Sequence, residues 1–352
     1  MQRRGFLETC AVGALAAAGC RREPPTRQAV LSALVREVIV PDTRAVVTTS
    51  SALAAGVDAF VTAPAVDTLR AARAKFESAL LAWKRAQCFR LGPMVDTNAF
   101  VRTLFWPPRA SALETVLETT AAIDDAFVAN LGVDARGVYG VEYLLFPLER
   151  DEAASLALFT GEPGARRRDF VRGLATNVAK YASNAGTALG DGSAYAARFA
   201  HGGQVSLSIL INQMIATIEN LAAHRLEPVL ARAARQRLSA EDVEGAPSAS
   251  SQKIALAQLG GNEALYRGGK SGGLAALTRA LAPAIEARVS DRYQAALGAV
   301  RALAAPLERV VQTDRAALER AAQATKALEV AIKVDLASAL GVTITFQTGD
   351  GD

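Results

Sequence analysis

The chain has 352 residues, about half of them apolar, and its 39 Lys and Arg stand against 35 Asp and Glu for a net charge of +4. The basic residues are spread out, Arg166-Arg167-Arg168 is the one triplet, and aromatic residues do not alternate with it, so the footprint of a nucleic-acid binder is missing. Proteins, small ligands, metal and a membrane surface are left as partners.

Met1-Gln2-Arg3-Arg4-Gly5-Phe6-Leu7 sets two arginines before an apolar stretch, Ala11 to Ala18, that closes on Gly19-Cys20. This is the order of an export signal: charged region, short apolar region, small-residue cleavage site. The paired arginines before Phe6-Leu7 resemble a twin-arginine signal, and Ala17-Ala18-Gly19-Cys20 resembles a lipobox. We therefore expect a signal peptide over 1–19, lipid on Cys20, and a tether over 20–27 stiffened by Pro24-Pro25. The mature chain would be periplasmic, held through its lipid on the outer or inner membrane. Cys10 leaves with the signal and Cys20 is acylated, so Cys88 remains alone and no intramolecular disulfide can form. No later segment supplies the ~18 uninterrupted apolar residues of a membrane span.

Beyond the tether, alanine-rich stretches with three- and four-residue apolar spacing dominate and strand-like alternation is almost missing, which predicts an all-α chain. The first helical stretch covers 28–60. Over 67–91, Leu69, Ala72, Phe76, Leu80 and Trp83 form an apolar face, with Arg70, Arg73, Lys75, Glu77 and Lys84 assigned to the wet side. Asp67 is a candidate cap there, and Gly92-Pro93 a stop. Cys88, beside this face, reads as a buried apolar filler. Further stretches cover 109–130, 137–147, 165–189, 193–236, 252–265, 272–304 and 306–340. Trp106-Pro107-Pro108, Gly161-Glu162-Pro163-Gly164, Gly190-Asp191-Gly192 and Gly245-Ala246-Pro247 break the pattern between them. The expected architecture is two packed helical-bundle-like halves, about 28–190 and 191–352, meeting near Gly190-Asp191-Gly192.

The polar feature most at odds with its surroundings is Gly137-Val138-Tyr139-Gly140-Val141-Glu142-Tyr143-Leu144-Leu145-Phe146. On a helix, Tyr139, Glu142 and Tyr143 project from one side. Glu142 interrupts an apolar run, and a carboxylate placed so needs a cation, a hydrogen-bond donor or a metal. A structural salt bridge, a Tyr–Glu hydrogen bond and a ligand site all satisfy that need.

This segment resembles the hallmark of the imelysin-like proteins, also filed as peptidase family M75: Gly-x-His-x-x-Glu followed by an apolar run. Phe89-Arg90-Leu91-Gly92-Pro93, Gly261-Asn262-Glu263-Ala264-Leu265-Tyr266, and Leu340 to Phe346 with Gly349-Asp350-Gly351-Asp352 are similar to other family stretches in the same order. The resemblance covers roughly 28–352. It implies an exported or surface-anchored helical protein of two bundle-like halves, associated with bacterial iron uptake, with iron as cofactor and iron-uptake proteins as partners. It also implies a site at Gly137, Tyr139 and Glu142, between the halves. Tyr139 stands where the family has histidine. A tyrosinate is a hard oxygen donor suited to ferric iron, so Tyr139 could be a co-ligand of Glu142; a neutral phenol would only donate a hydrogen bond to Glu142.

The alternatives are a metallopeptidase of the M75 type and an interaction module with a degenerate site that binds no metal. Zinc hydrolysis uses three protein ligands, often from His-Glu-x-x-His, whereas this chain has only His201 and His224, far apart and outside such a motif. His224-Arg225-Leu226-Glu227 is a literal His-x-x-Glu, but Arg225 and Pro228 assign it to a solvated helix end. His201, before Gly202-Gly203, is a secondary site candidate. Gly268-Gly269-Lys270-Ser271-Gly272 lacks the earlier glycine and the strand of a phosphate loop and reads as a flexible linker. Asp350 and Asp352 do not make a calcium site.

Overall fold

The computed structural model describes residues 24–345 except Glu149. The expected signal, Cys20, the first part of the tether and the segment from Phe346 to Asp352 lie outside the described residues. Most of those described are helical, and their one β feature is an isolated bridge between Gly269 and Gly272.

Helix α1 (Arg27–Thr62) starts where the Thr26 hydroxyl accepts the Ala29 amide at 3.1 Å. It passes through Pro41 by way of a π turn over Val35–Ile39. The wider turn relieves the clash between the proline ring and a preceding carbonyl and absorbs the missing amide. The amphipathic α2 (Val66–Ala86) buries Leu69, Ala72, Phe76, Leu80 and Trp83 as its spacing predicts. Its start is capped at Ala65, whose amide donates to Thr68 Oγ1 at 3.0 Å, and Asp67 lies within the first turn. Lys84 does not lie on the wet side: it is fully buried.

The stretch expected over 109–130 divides into α3 (Ala110–Glu118) and a short helix, Asp125–Asn130. Then come α4 (Gly137–Leu145), α5 (Ala165–Leu189), α6 (Ala194–His201) and α7 (Gly203–Ala233). Helix α7 runs through Pro228 after a π turn over Ala222–Leu226, the same solution as in α1, so the proline does not end it. Helix α8 (Ser251–Arg267) is followed by α9 (Leu274–Leu281), α10 (Pro283–Arg301) and α11 (Arg315–Val330). Short helices Ala99–Leu104 and Glu152–Ala157 fill stretches without clear periodicity.

Helix α1 lies between α2 and α5; α2 packs on α8, α8 on α10, and α10 on α11, which also meets α7. Gly261 permits the α2–α8 approach, because a Cβ there would sit 2.0 Å from the Arg85 carbonyl oxygen. One apolar cluster runs from Val30 to Val342 through helices on both sides of Gly190-Asp191-Gly192. By length and composition alone α1 and α7 could cross a membrane, but each contributes its buried face to this shared core.

The glycine-rich 268–272 segment is an ordered turn. Glu37, in the π turn of α1, accepts from the Ser271 amide at 3.0 Å and its hydroxyl at 2.5 Å. Those two bonds and the Arg36 guanidinium hold its carboxyl down at about 2.

Candidate functional site

Gly137 opens α4 with φ +73°, and a Cβ there would lie 2.5 Å from the Thr103 carbonyl oxygen, so its role is to start the helix in a place no side chain fits. At the other end, Arg73 donates to the Leu145 carbonyl at 2.9 and 2.7 Å and Arg167 to the Leu144 carbonyl at 3.2 Å. Two cations thus satisfy the helix C-terminus and favour its dipole. Between these fixed ends Tyr139, Glu142 and Tyr143 line a cavity of about 420 Å³. Trp106, Glu114, Phe146, Arg150, Arg167 and Glu241 are also on its wall.

The expected Tyr139–Glu142 hydrogen bond is not made. Tyr139 is completely buried and its hydroxyl donates to Glu244 Oε1 at 2.5 Å. Lys84 Nζ reaches the same oxygen at 2.5 Å, and Arg225 Nε holds Oε2 at 2.9 Å. Burial would raise the Glu244 carboxyl, but the charges of Lys84 and Arg225 and the hydrogen bonds from Lys84 and Tyr139 outweigh it and hold it at about 2. Burial, followed by the charge on Glu244, pushes the Tyr139 phenol well above its ordinary value. Lys84 also lies over the Tyr139 ring at 5.6 Å, and Arg225 over Trp106 at 4.9 Å.

Glu142 has a different environment. It is 2% exposed, and its Oε1 accepts from the Ser248 amide at 3.3 Å and from the Ser248 hydroxyl. Burial raises its carboxyl to about 7; the Ser248 bonds pull the other way, and the nearby charges of Glu244 and Glu308 add to the rise. Tyr143 donates to Glu114 at 2.6 Å.

The donors of this region do not fit an iron ion held by Tyr139 and Glu142. The phenol keeps its proton and is committed to Glu244, whose two oxygens are already taken by two cations. Among the described residues no three His, Cys, Asp or Glu side chains converge as a metal site. His201 is exposed at the end of α6, with Nδ1 2.8 Å from the Ala197 carbonyl oxygen, and is not on the cavity wall. His224 and Glu227 are exposed on α7, while Arg225 between them turns inward. Cys88 is buried, and burial pushes its thiol upward, as suits an inert filler.

Sequence reasoning missed Lys84, Arg225, Glu244 and Ser248. Lys84 had a usable signal: it stands four residues after Leu80 and eight after Phe76, on the apolar stripe. Glu244 and Ser248 flank a segment recognised only as a breaker, and no local pattern ties them to α4.

The Imelysin family model (peptidase M75) matches residues 39–334. No curated protein matches the chain. Among solved structures it is similar to one described as an iron-regulated protein A precursor from Parabacteroides distasonis, with a TM-score of 0.76 and 16% identity over 92% of this chain and 97% of that one. It is also similar to an imelysin-like protein from Psychrobacter arcticum, with a TM-score of 0.68 and 16% identity over 91% and 97%. At that identity the two structures speak for the fold. The family match spans most of the sequence, and the chain belongs to the imelysin family.

Proposed function

We propose that this protein is a lipid-anchored periplasmic binding protein that serves iron acquisition by capturing a ligand or partner in the cavity beneath α4, with Glu142 as its principal acidic group. The observation that carries this reading is a nearly fully buried, unusually basic carboxyl on the wall of a ligand-sized cavity, at the family's own motif. The iron-regulated relative supplies the iron context. Because the donors around Tyr139 do not fit an iron ion, the iron role is assigned to a bound molecule or protein and not to direct coordination by that residue.

The test is complementation of a deletion strain under iron limitation. Wild type should restore growth, Glu142→Ala should not, and Cys20→Ala should lose both membrane fractionation and part of the rescue. Full rescue by Glu142→Ala, with the variant protein present at the wild-type level, overturns the reading.

A further inference from the structure

The charges on the cavity wall are unevenly satisfied. Glu244, just outside it, is paired twice, whereas Glu142 accepts only from Ser248 and Glu114 from the Tyr143 hydroxyl, and neither forms an ion pair among the described residues. Glu241, the third carboxylate on the wall, likewise has no ion pair among them. The three are graded in depth: Glu142 is buried, Glu114 half-buried and Glu241 exposed. The two arginines on the wall are placed otherwise. Arg167 is bound to the Leu144 carbonyl and lies 5.7 Å from the Phe159 ring centre, where it feels the charge of Glu114 without forming an ion pair with it, and Arg150 is exposed and so belongs to the mouth; among the described residues Glu142 is the acid left without a cation.

Trp106, Phe146, Leu148 and Pro247 supply apolar surface beside these acids. A wholly apolar guest would desolvate the carboxylates without compensation, and an anion would be repelled by them. A bare metal ion finds no converging donor set among the described residues. What fits is an alkyl stem that covers the apolar wall and ends in a head with hydrogen-bond donors and positive charge. We infer that the cavity takes an organic cation, a primary ammonium or guanidinium group on an aliphatic chain, whose head reaches Glu142 at the floor and passes Glu241 and Glu114 on the way. This rests on the binding role proposed above and names its ligand class.

The groups that face or surround Glu142 agree with this assignment. Ser248 donates to it, and Lys84, Glu244, Glu308 and Tyr139 are its ionisable neighbours. Lys84 is committed to Glu244, so it leaves Glu142 without a cation of its own. With its carboxyl raised to about 7, Glu142 is largely protonated below neutral pH, and an arriving cation displaces that proton.

The source of the head group is either a free polyamine or the basic side chain of a peptide, and titration calorimetry on the mature protein separates them. The probes are spermidine, a capped pentapeptide with a central lysine, and the same peptide with norleucine, which keeps the stem and loses the charge. Binding of spermidine or of the lysine peptide is expected, with norleucine at least tenfold weaker, Glu142→Gln at least tenfold weaker, and up to one proton released at pH 6. Equal binding of the lysine and norleucine peptides, or binding unchanged in Glu142→Gln, overturns the inference, as does failure of both cations to bind wild type. Should Glu142→Gln not fold, Glu114→Gln serves instead, with a two- to threefold loss expected and no loss counting against the inference. The growth complementation described above, run beside the titrations, keeps the two readings apart. Rescue of growth through Glu142 with no cation bound removes the ligand class and leaves the iron role; cation binding with no growth effect does the reverse.

Discussion

Glu142 and Glu244 are neighbours in space with opposite titration, and the difference is their partners. Both are buried, so both are penalised as anions. Glu244 has a lysine and an arginine in contact, whereas Glu142 has only uncharged donors and feels two other acids. A buried carboxyl raised from about 4.5 to about 7 stabilises the fold when protonated. That stability is complete below the unfolded-state value and is lost as pH rises through about 7. The loss is on the order of 3 kcal/mol. Urea unfolding from pH 5 to pH 8.5 should therefore show wild type losing stability relative to Glu142→Gln, with most of the change between pH 5 and 7.5. A difference between the two proteins that stays flat with pH would mean that Glu142 titrates as an ordinary carboxylate. Glu308 and Asp42 are raised in the same direction by burial, so the comparison with Glu142→Gln, and not the wild-type curve alone, isolates the group.

At the level of helices, the local signals in the sequence are physical and survive in the structure. The 3.6-residue stripe of α2 predicts which side chains are buried, because it depends only on helix geometry. Turn chemistry is read less well. Pro228 reads as the mark of a helix end, yet α7 passes through it on a π turn, as α1 does at Pro41. The candidate site divides in the same way. Glu142 is legible because it interrupts an apolar run, and Tyr139 because it stands on the same helix side, while Lys84, Arg225, Glu244 and Ser248 come from α2, α7 and the loop after α7, distant in sequence from α4, and only the tertiary fold brings them together. The close approach of α2 to α8 is part of that fold, and it depends on Gly261. Gly261→Ala places a methyl group 2.0 Å from a backbone carbonyl that cannot rotate away. A loss of about 3 kcal/mol, at the upper end of overpacking costs, is expected in chemical denaturation. A change below about 0.5 kcal/mol would mean that the two helices separate without resistance.

Across the whole molecule, the shared apolar cluster predicts that the helices before and after Gly190-Asp191-Gly192, an N-terminal and a C-terminal group, unfold as one thermodynamic unit. Chains of this length often unfold in stages when their domains have separate cores. Here α1 starts against α6 and α7, runs on between α2 and α5, and so belongs to both groups; α2 joins α8 through a contact too close for a side chain at Gly261. Both tryptophans precede α5; the fully buried Trp83 reports on the N-terminal group and Trp106 on its contact with Arg225 of α7, while far-UV circular dichroism reports on all helices. The two probes should give coincident urea transitions. Leu328→Ala, a buried change in α11 far from either tryptophan in sequence, removes about 2 to 5 kcal/mol of packing. In a single unit that loss lowers the fluorescence midpoint as much as the dichroism midpoint. If the groups were independent, the tryptophan transition would stay where it is and the dichroism curve would split, and the cavity beneath α4 could then be studied in the N-terminal group alone. The position of Glu244 argues against that second outcome: it follows α7, yet its carboxylate is held by Lys84 of α2 and Tyr139 of α4, so the site is complete only when both groups are folded together.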